Sequence, residues 1–194
     1  MPVPLTRAGP PPTVPFPVEI GFGGGTSATG VPVTLFSGTT AGDLMFVWIT
    51  ADSTQQAAPF GWTRLTPQTA AGITIAGYHR VANGGLFDPF IVAGAVDSCY
   101  SWAVVRNVST VTASSAAADT APSVALPEPA AYIFAGFGRS GTKGIGAPFS
   151  VTQSTGSLQV GNNCHRSGSR LVSATLSGTT TASSAEVAYT AALT

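Results

Sequence analysis

The stretch Ala41-Gly-Asp-Leu-Met-Phe-Val-Trp-Ile-Thr-Ala-Asp52 decides the fold of this chain. Its centre, residues 44–49, is the densest apolar segment in the sequence, and turn-forming residues stand at both of its ends. An apolar run of this length, rich in aromatic and β-branched residues and too short for a membrane helix, is typical of a strand buried on both faces. The remaining segments can be interpreted as strands arranged around it.

Several other segments show the apolar content or the alternation of a strand and are bounded by Gly, Pro or Asn-Gly turn signals. They include residues 31–36, 72–81, 87–96, 98–108, 131–137 and 185–189. No helical periodicity extends beyond a turn or two. The sequence therefore predicts an all-β fold, a two-sheet antiparallel β-sandwich that is jelly-roll-like, with residues 18–194 as a single domain. Residues 110–122 are poor in large apolar side chains and are predicted to be a linker.

The features of the two halves, about residues 40–109 and 122–194, follow the same order. The run 44–50 corresponds to residues 132–138, and Tyr78-His-Arg80 corresponds to Cys164-His-Arg166. We interpret the halves as a degenerate internal duplication. Chance similarity between two β-patterned sequences is the alternative.

Residues 1–17 contain seven prolines, which fix φ and remove backbone donors, so we expect an extended arm rather than a helix or a central strand. The arm is interpreted either as a disordered terminus or as a segment that docks along a neighbouring subunit, since a proline-stiffened segment has little entropy to lose on binding. The residues expected to contact the partner are Pro2, Pro4, Leu5, Arg7, Pro10, Pro11 and Pro12.

Charge is scarce and balanced. Only 8% of the residues are charged, and the formal net charge is zero, so no basic stripe exists to neutralise nucleic-acid phosphates. No apolar stretch is long enough for a membrane helix, and no signal peptide is recognisable at the start of the sequence. The sequence therefore predicts assembly in the cytoplasm. Its Ser/Thr/Gly/Ala-rich composition nevertheless resembles that of extracellular surface proteins, and a virion protein released by lysis would reconcile the two.

The sequence contains no catalytic motif and no metal-binding motif, so we expect neither an enzyme nor a cofactor. His79 and His165 each precede an arginine, but neither has a second ligand at the spacing of a local metal site, and we expect both on strand faces. Cys99 and Cys164 belong to no CxxC pair. They are interpreted as buried thiols, with a disulfide between them as the alternative.

The tryptophans divide into two groups. Trp48 and Trp102 lie inside apolar strands and are predicted to be core residues. Trp62 follows a Pro/Gly turn and is the candidate for an exposed ring, which could contact a glycan because jelly rolls often serve as lectins.

Four motifs carry a family resemblance: Gly42-Asp-Leu-Met-Phe-Val-Trp, Pro59-Phe-Gly-Trp-Thr-Arg-Leu65, Ile75-Ala-Gly-Tyr-His-Arg-Val-Ala82 and Ser101-Trp-Ala-Val-Val-Arg-Asn-Val108. In this order they resemble a loosely defined group of β-sandwich domains, found in structural proteins of tailed phages and related particles and in some bacterial surface proteins. The resemblance covers about residues 40–194. It implies a β-sandwich and brings no catalytic residues with it.

These observations lead to two expectations of function. The first is a non-enzymatic virion structural protein, a capsid decoration (cement) protein on the capsid surface, whose partners are the major capsid protein, copies of itself, or both. It would stabilise the assembled shell through its arm and its sandwich edges. The alternative is a tail-associated receptor-binding or carbohydrate-binding module with Trp62 as a contact residue.

Overall fold

The structure is a computed structural model of the whole chain. The described residues are 15–27, 38–52, 57–84, 97–122, 124, 131–141, 144–146, 153–155, 157–160, 163–172, 180–181 and 185–194. The strands predicted over residues 31–36 and 87–96 lie outside them.

The first sheet is built from the first half of the chain. Its strands are β1 (Val18–Ser27), β2 (Leu44–Ala51), β3 (Thr63–Arg64), β4 (Gln68–Ala70), β5 (Ile73–Val81) and β6 (Ser98–Arg106). They lie in the order β1-β6-β2-β5-β3, with β4 also paired to β5, and every pairing is antiparallel. The apolar run of residues 44–51 therefore forms the central strand.

The second half of the chain builds the second sheet. Its strands are β7 (Val111–Ala116), β9 (Ala131–Ser140), β10 (Gln153–Ser154), β11 (Leu158–Val160), β12 (Asn163–Val172) and β14 (Val187–Leu193). Their order is β10-β12-β9-β14-β7, with β11 also paired to β12. Two short strands, β8 (Thr120–Ala121) and β13 (Thr180–Thr181), pair with each other outside both sheets.

The two sheets pack face to face, so the predicted all-β sandwich of two antiparallel sheets is confirmed. Within it the strands are divided between the sheets by halves of the chain, whereas a jelly roll shares both halves between its sheets. Within the described residues, no helix is long and apolar enough to cross a membrane.

Strand β2 is buried on both faces, as its continuous apolar sequence predicts. All eight of its residues are buried. Leu44, Phe46 and Trp48 point toward the second sheet, where they join a core that includes Phe134. The alternate residues, among them Val47, pack on the outer face against Trp62, Tyr78, Tyr100 and Trp102. Because side chains alternate across a strand, one strand supplies two cores.

The linker predicted over residues 110–122 is wrong for residues 111–116 and 120–121, which form β7 and β8. Residues Val111–Ala116 form β7, an edge strand whose six residues pair one by one with β14. The composition concealed this strand because its Ser, Thr and Ala side chains carry little apolar signal. Its position depends on backbone pairing with a strand about 80 residues further along the chain.

The two sheets share one strand order, which is what the predicted duplication requires. β1, β6, β2 and β5 of the first sheet correspond in order to β7, β14, β9 and β12 of the second. The proposed equivalence of the two His-Arg pairs fails in register, however. His79 lies opposite Phe46 of β2. His165 lies opposite Gly138 of β9, and in the alignment of the two halves Gly138 corresponds to Thr50 and not to Phe46.

Candidate functional site: an exposed sheet end and a buried polar network

Trp48 occupies the centre of the sandwich and is held by two glycines. A Cβ atom at Gly77, on the neighbouring strand β5, would lie 2.4 Å from the indole, and one at Gly136, on the facing strand β9, would lie 2.8 Å from it. Real Cβ atoms do not approach other atoms this closely, so both positions require glycine. Tyr189 of β14 also contacts the indole, with ring centroids 4.8 Å apart.

Beside this aromatic centre, His165 joins the two sheets through a hydrogen-bonded network. Its side chain, on β12, is fully buried. The ring Nδ1 lies 2.9 Å from Thr50 Oγ1 on β2, and Nε2 lies 2.8 Å from Ser101 Oγ on β6. Gly138 leaves the space for this network, because a Cβ atom there would lie 2.9 Å from Thr50 Cγ2.

Burial lowers the pKa of His165 to about 3, because the charged imidazolium would lose its hydration. The ring is therefore neutral at physiological pH, with one nitrogen donating a hydrogen bond and the other accepting one from a hydroxyl. Both nitrogens are occupied and the ring has no access to solvent. This geometry fits a structural tie between the sheets and leaves no position for a substrate.

His79 is in a different environment. It lies on β5, is only partly buried, and stacks on Phe46 with ring centroids 6.2 Å apart. Burial also lowers its pKa. Cys99, on β6, is a buried thiol and not half of a disulfide. Within the described ranges, no three His, Cys, Asp or Glu residues are grouped so that they could hold a metal ion.

At one end of the first sheet, Asp43 anchors the entry to β2. Its buried carboxylate accepts hydrogen bonds from Arg106 Nε at 2.8 Å and Arg106 Nη2 at 2.9 Å, and from the Thr40 backbone N–H at 2.8 Å. The hydrogen bond from Arg106 holds the pKa of Asp43 below its ordinary value of 3.8. This bidentate pair ties the turn before β2 to the end of β6.

The same end of the sheet exposes four large apolar side chains. Their exposed fractions are 63% for Phe16, 47% for Val18, 101% for Phe60 and 56% for Val81. We call this group the arm end, because the chain passes from the proline-rich segment into β1 here. Val18 opens β1 opposite Arg106, and Val81 closes β5 opposite Leu44.

Phe60 belongs to the arm end through the turn that precedes β3. The Trp62 N–H donates to the carbonyl of Pro59, and Thr63 pairs with His79, so Phe60 lies beyond the level of β5's last residues. Neighbouring strands are about 4.8 Å apart, which places β1 and β5, three strands apart, at about 14 Å. The four side chains of the arm end therefore lie along one end of the first sheet.

Trp62 does not present the exposed ring that the sequence predicts. It is 7% exposed and packs with the outer core of the first sheet. The exposed ring of this turn is Phe60, two residues earlier. Trp48 and Trp102 are buried, as predicted.

The predicted partner contacts in the proline-rich arm, Pro2 to Pro12, lie outside the described residues, as do the first fourteen residues as a whole. The described chain begins at Pro15, and Asn107 Nδ2 donates a hydrogen bond of 3.0 Å to the Phe16 carbonyl. This contact fixes where the arm leaves the sandwich.

Comparison of the chain with protein-family models, with curated proteins and with solved structures finds no match.

Proposed function

We propose that the protein is a non-enzymatic virion structural protein, a capsid decoration protein that binds the assembled shell through its proline-rich arm and the arm end. The observation that carries this proposal is the position of the exposed apolar residues. Phe16, Val18, Phe60 and Val81 lie at the end of the first sheet where residue 17 leads into β1, so they stand beside the point at which the proline-rich arm joins the sandwich.

The chemistry of this surface suits binding to a protein. Exposed aromatic and aliphatic side chains supply the apolar contact that anchors protein interfaces. Arg106 beside them is already paired with Asp43, so it offers no unpaired charge that a partner would have to compensate. The burial of His165, with a hydroxyl within hydrogen-bond distance of each ring nitrogen, supports a non-enzymatic role.

The first test is quantitative mass spectrometry of purified virus particles that are encoded by the same genome as this chain. We expect the protein in hundreds of copies per particle. A few copies would indicate a tail location, and absence from the particle would contradict the proposal.

The second test locates the surface. The double variant Phe60→Ser/Val81→Ser should bind particles at least about tenfold more weakly than the wild type, because it removes two apolar anchors. The control is Ala117→Ser, an exposed position next to β7 and away from the arm end, which should bind like the wild type. Equal binding by all three proteins would show that the arm end is not the contact.

The carbohydrate-binding alternative has lost its predicted contact residue, because Trp62 is buried. Phe60 is the aromatic ring that a glycan could reach. Binding on a glycan array that disappears in Phe60→Ala would favour this alternative over the decoration role.

A further inference from the structure

Strand β7 has one paired edge and one edge that no described strand pairs. Its paired edge can be assigned residue by residue from Thr110 and Thr194, which exchange both backbone hydrogen bonds, at 2.8 and 3.0 Å. In an antiparallel ladder such bonded pairs alternate with non-bonded pairs. Thr112, Ser114 and Ala116 therefore bond to β14, and the N–H and C=O groups of Val111, Ala113 and Ser115 point outward.

The side chains of β7 alternate in the same way. Val111 and Ala113 pack against the core between the sheets, and Ser115 donates a hydrogen bond of 3.1 Å to Gln68 Oε1 on the first sheet. Thr112 and Ser114 consequently face the outer side of the second sheet. The interior contacts hold β7 in place, so its outward groups form a fixed row.

The corresponding edge strand of the first sheet, β1, is built differently. It has a register shift between Glu19 and Gly21, and a Cβ atom at Gly24 would lie 3.0 Å from Leu158 of the second sheet. Bulges, charges and covering side chains are the means by which proteins stop an edge from pairing with another chain. β7 has no charge, proline, glycine or bulge, so it lacks these protections.

The sequence of β7 is compatible with itself in one antiparallel register. With Ala113 opposite Ala113 of a second copy, the outward backbone groups of residues 111, 113 and 115 meet their counterparts. Three bonded pairs then give about six hydrogen bonds between the copies. Thr112 lies opposite Ser114 in this register, so each side-chain pair is small and uncharged.

Two features select a second copy as the occupant of this edge. The proline-rich arm is a poor candidate, because prolines lack the N–H donors that a ladder needs. The chain has zero formal net charge, so long-range repulsion does not oppose contact between identical molecules. We propose that two copies pair their β7 strands antiparallel about a two-fold axis, which joins their second sheets into one continuous sheet. The proposal does not depend on the capsid role.

The first test introduces charged side chains on the outer face of β7 and measures the oligomeric state of the full chain by analytical ultracentrifugation. The wild type, a 19.4 kDa chain, should sediment as a dimer. Thr112→Lys/Ser114→Lys places lysines opposite each other across the axis and should weaken the dimer by about tenfold or more. Thr112→Glu/Ser114→Lys places opposite charges together and should remain dimeric.

The second test acts on the backbone. Ala113→Pro removes an outward N–H and leaves the bonds to β14 intact, so it should give a folded monomer. Circular dichroism checks that this variant is folded. If it is not, the Lys/Lys and Glu/Lys variants alone test whether the dimer forms through β7. A wild type that stays monomeric at all concentrations would overturn the proposal, and so would a dimer that the lysine pair leaves unchanged.

Self-association and shell binding can be separated. Failure of the β7 pairing would appear as a monomer that still binds particles, whereas failure of the capsid role would appear as a dimer that does not bind them.

Discussion

The two sheets have the same strand order, yet their inner faces differ. The first sheet presents large side chains, Phe46 and Trp48 on β2, to the interior. At the corresponding level the second sheet presents Gly136 and Gly138 on β9, and its next strand carries His165. At this level the indole of Trp48 therefore faces small residues of the second sheet, while the larger rings of Phe134 and Tyr189 pack around it.

This difference explains how a sandwich of similar halves acquires a unique packing. Two identical aromatic faces would collide at the centre, while two glycine-rich faces would leave a cavity. Here the indole of Trp48 fills the space over Gly136, and the imidazole of His165 fills the space beside Gly138. Substitutions of Trp48 and His165, and of the glycine facing Trp48, therefore test whether this difference between the two inner faces determines the packing.

The largest effect is expected from emptying the bulky side. Trp48→Ala should destabilise the protein by about 4 kcal/mol, because it leaves a cavity against the two glycines. Urea denaturation followed by far-UV circular dichroism measures the change. Phe60→Ala is the control, since that ring is fully exposed and its loss should cost about 0.5 kcal/mol or less. Similar losses in the two variants would contradict the assigned packing.

The second largest loss of stability is expected from removing His165, which joins the two sheets by hydrogen bonds. His165→Ala should cost about 3 kcal/mol, because it leaves the buried hydroxyls of Thr50 and Ser101 without their partner. The triple variant Thr50→Val/Ser101→Ala/His165→Leu removes every polar group of the network. It should be less destabilised than the sum of the three single variants, and simple additivity would show that the network is not coupled.

Adding a side chain at Gly136, on the second sheet, should reduce stability somewhat less. Gly136→Ala places a methyl group against Trp48 and should cost about 2 kcal/mol. The same substitution in a Trp48→Phe background should cost less, because the smaller ring leaves room. An equal cost in both backgrounds would mean that the strain does not come from the indole.

The sequence predicts the parts of this fold that follow from local apolar patterns. The continuous run of β2 identifies a strand buried on both faces, and the tryptophans at positions 48 and 102 are core residues as their strands suggest. Strand β7 escaped detection because a Ser/Thr/Ala segment has almost no hydrophobic alternation, and only pairing with a distant strand reveals it.

The polar network could not be predicted for the same reason. Thr50 is 115 residues and Ser101 is 64 residues away from His165, so no local spacing connects them. The burial of Trp62 does not follow from its neighbours, because a Pro/Gly turn predicts exposure of the turn as a whole. It does not say which of two nearby rings, Phe60 or Trp62, turns back onto the sheet.

The pH dependence of stability should report the buried ring. The pKa of His165 is about 3 in the folded state and 6.5 as its ordinary value, so below pH 6.5 the unfolded chain binds a proton that the folded chain does not. Stability is therefore fully present above pH 6.5 and falls as the pH decreases toward 3. Between pH 7.5 and 5.5 the loss should be about 1.4 kcal/mol. His165→Gln should flatten this profile, and an unchanged slope would contradict the assignment.

The smallest effect is expected at His79, which has the same residue type in the first sheet but a partly exposed position. His79→Gln should change stability by about 0.5 kcal/mol or less, since it removes a stacking contact with Phe46 at a partly exposed position. Burial lowers the pKa of His79 as well, so His79→Gln should remove part of the pH slope between 7.5 and 5.5, and His165→Gln should remove more of it because His165 is the more deeply buried ring. Asp43 does not titrate in this window, because the hydrogen bond from Arg106 holds its pKa below 3.8. If His79→Gln removed most of the slope and His165→Gln little of it, the buried tie between the sheets would have been assigned to the wrong histidine.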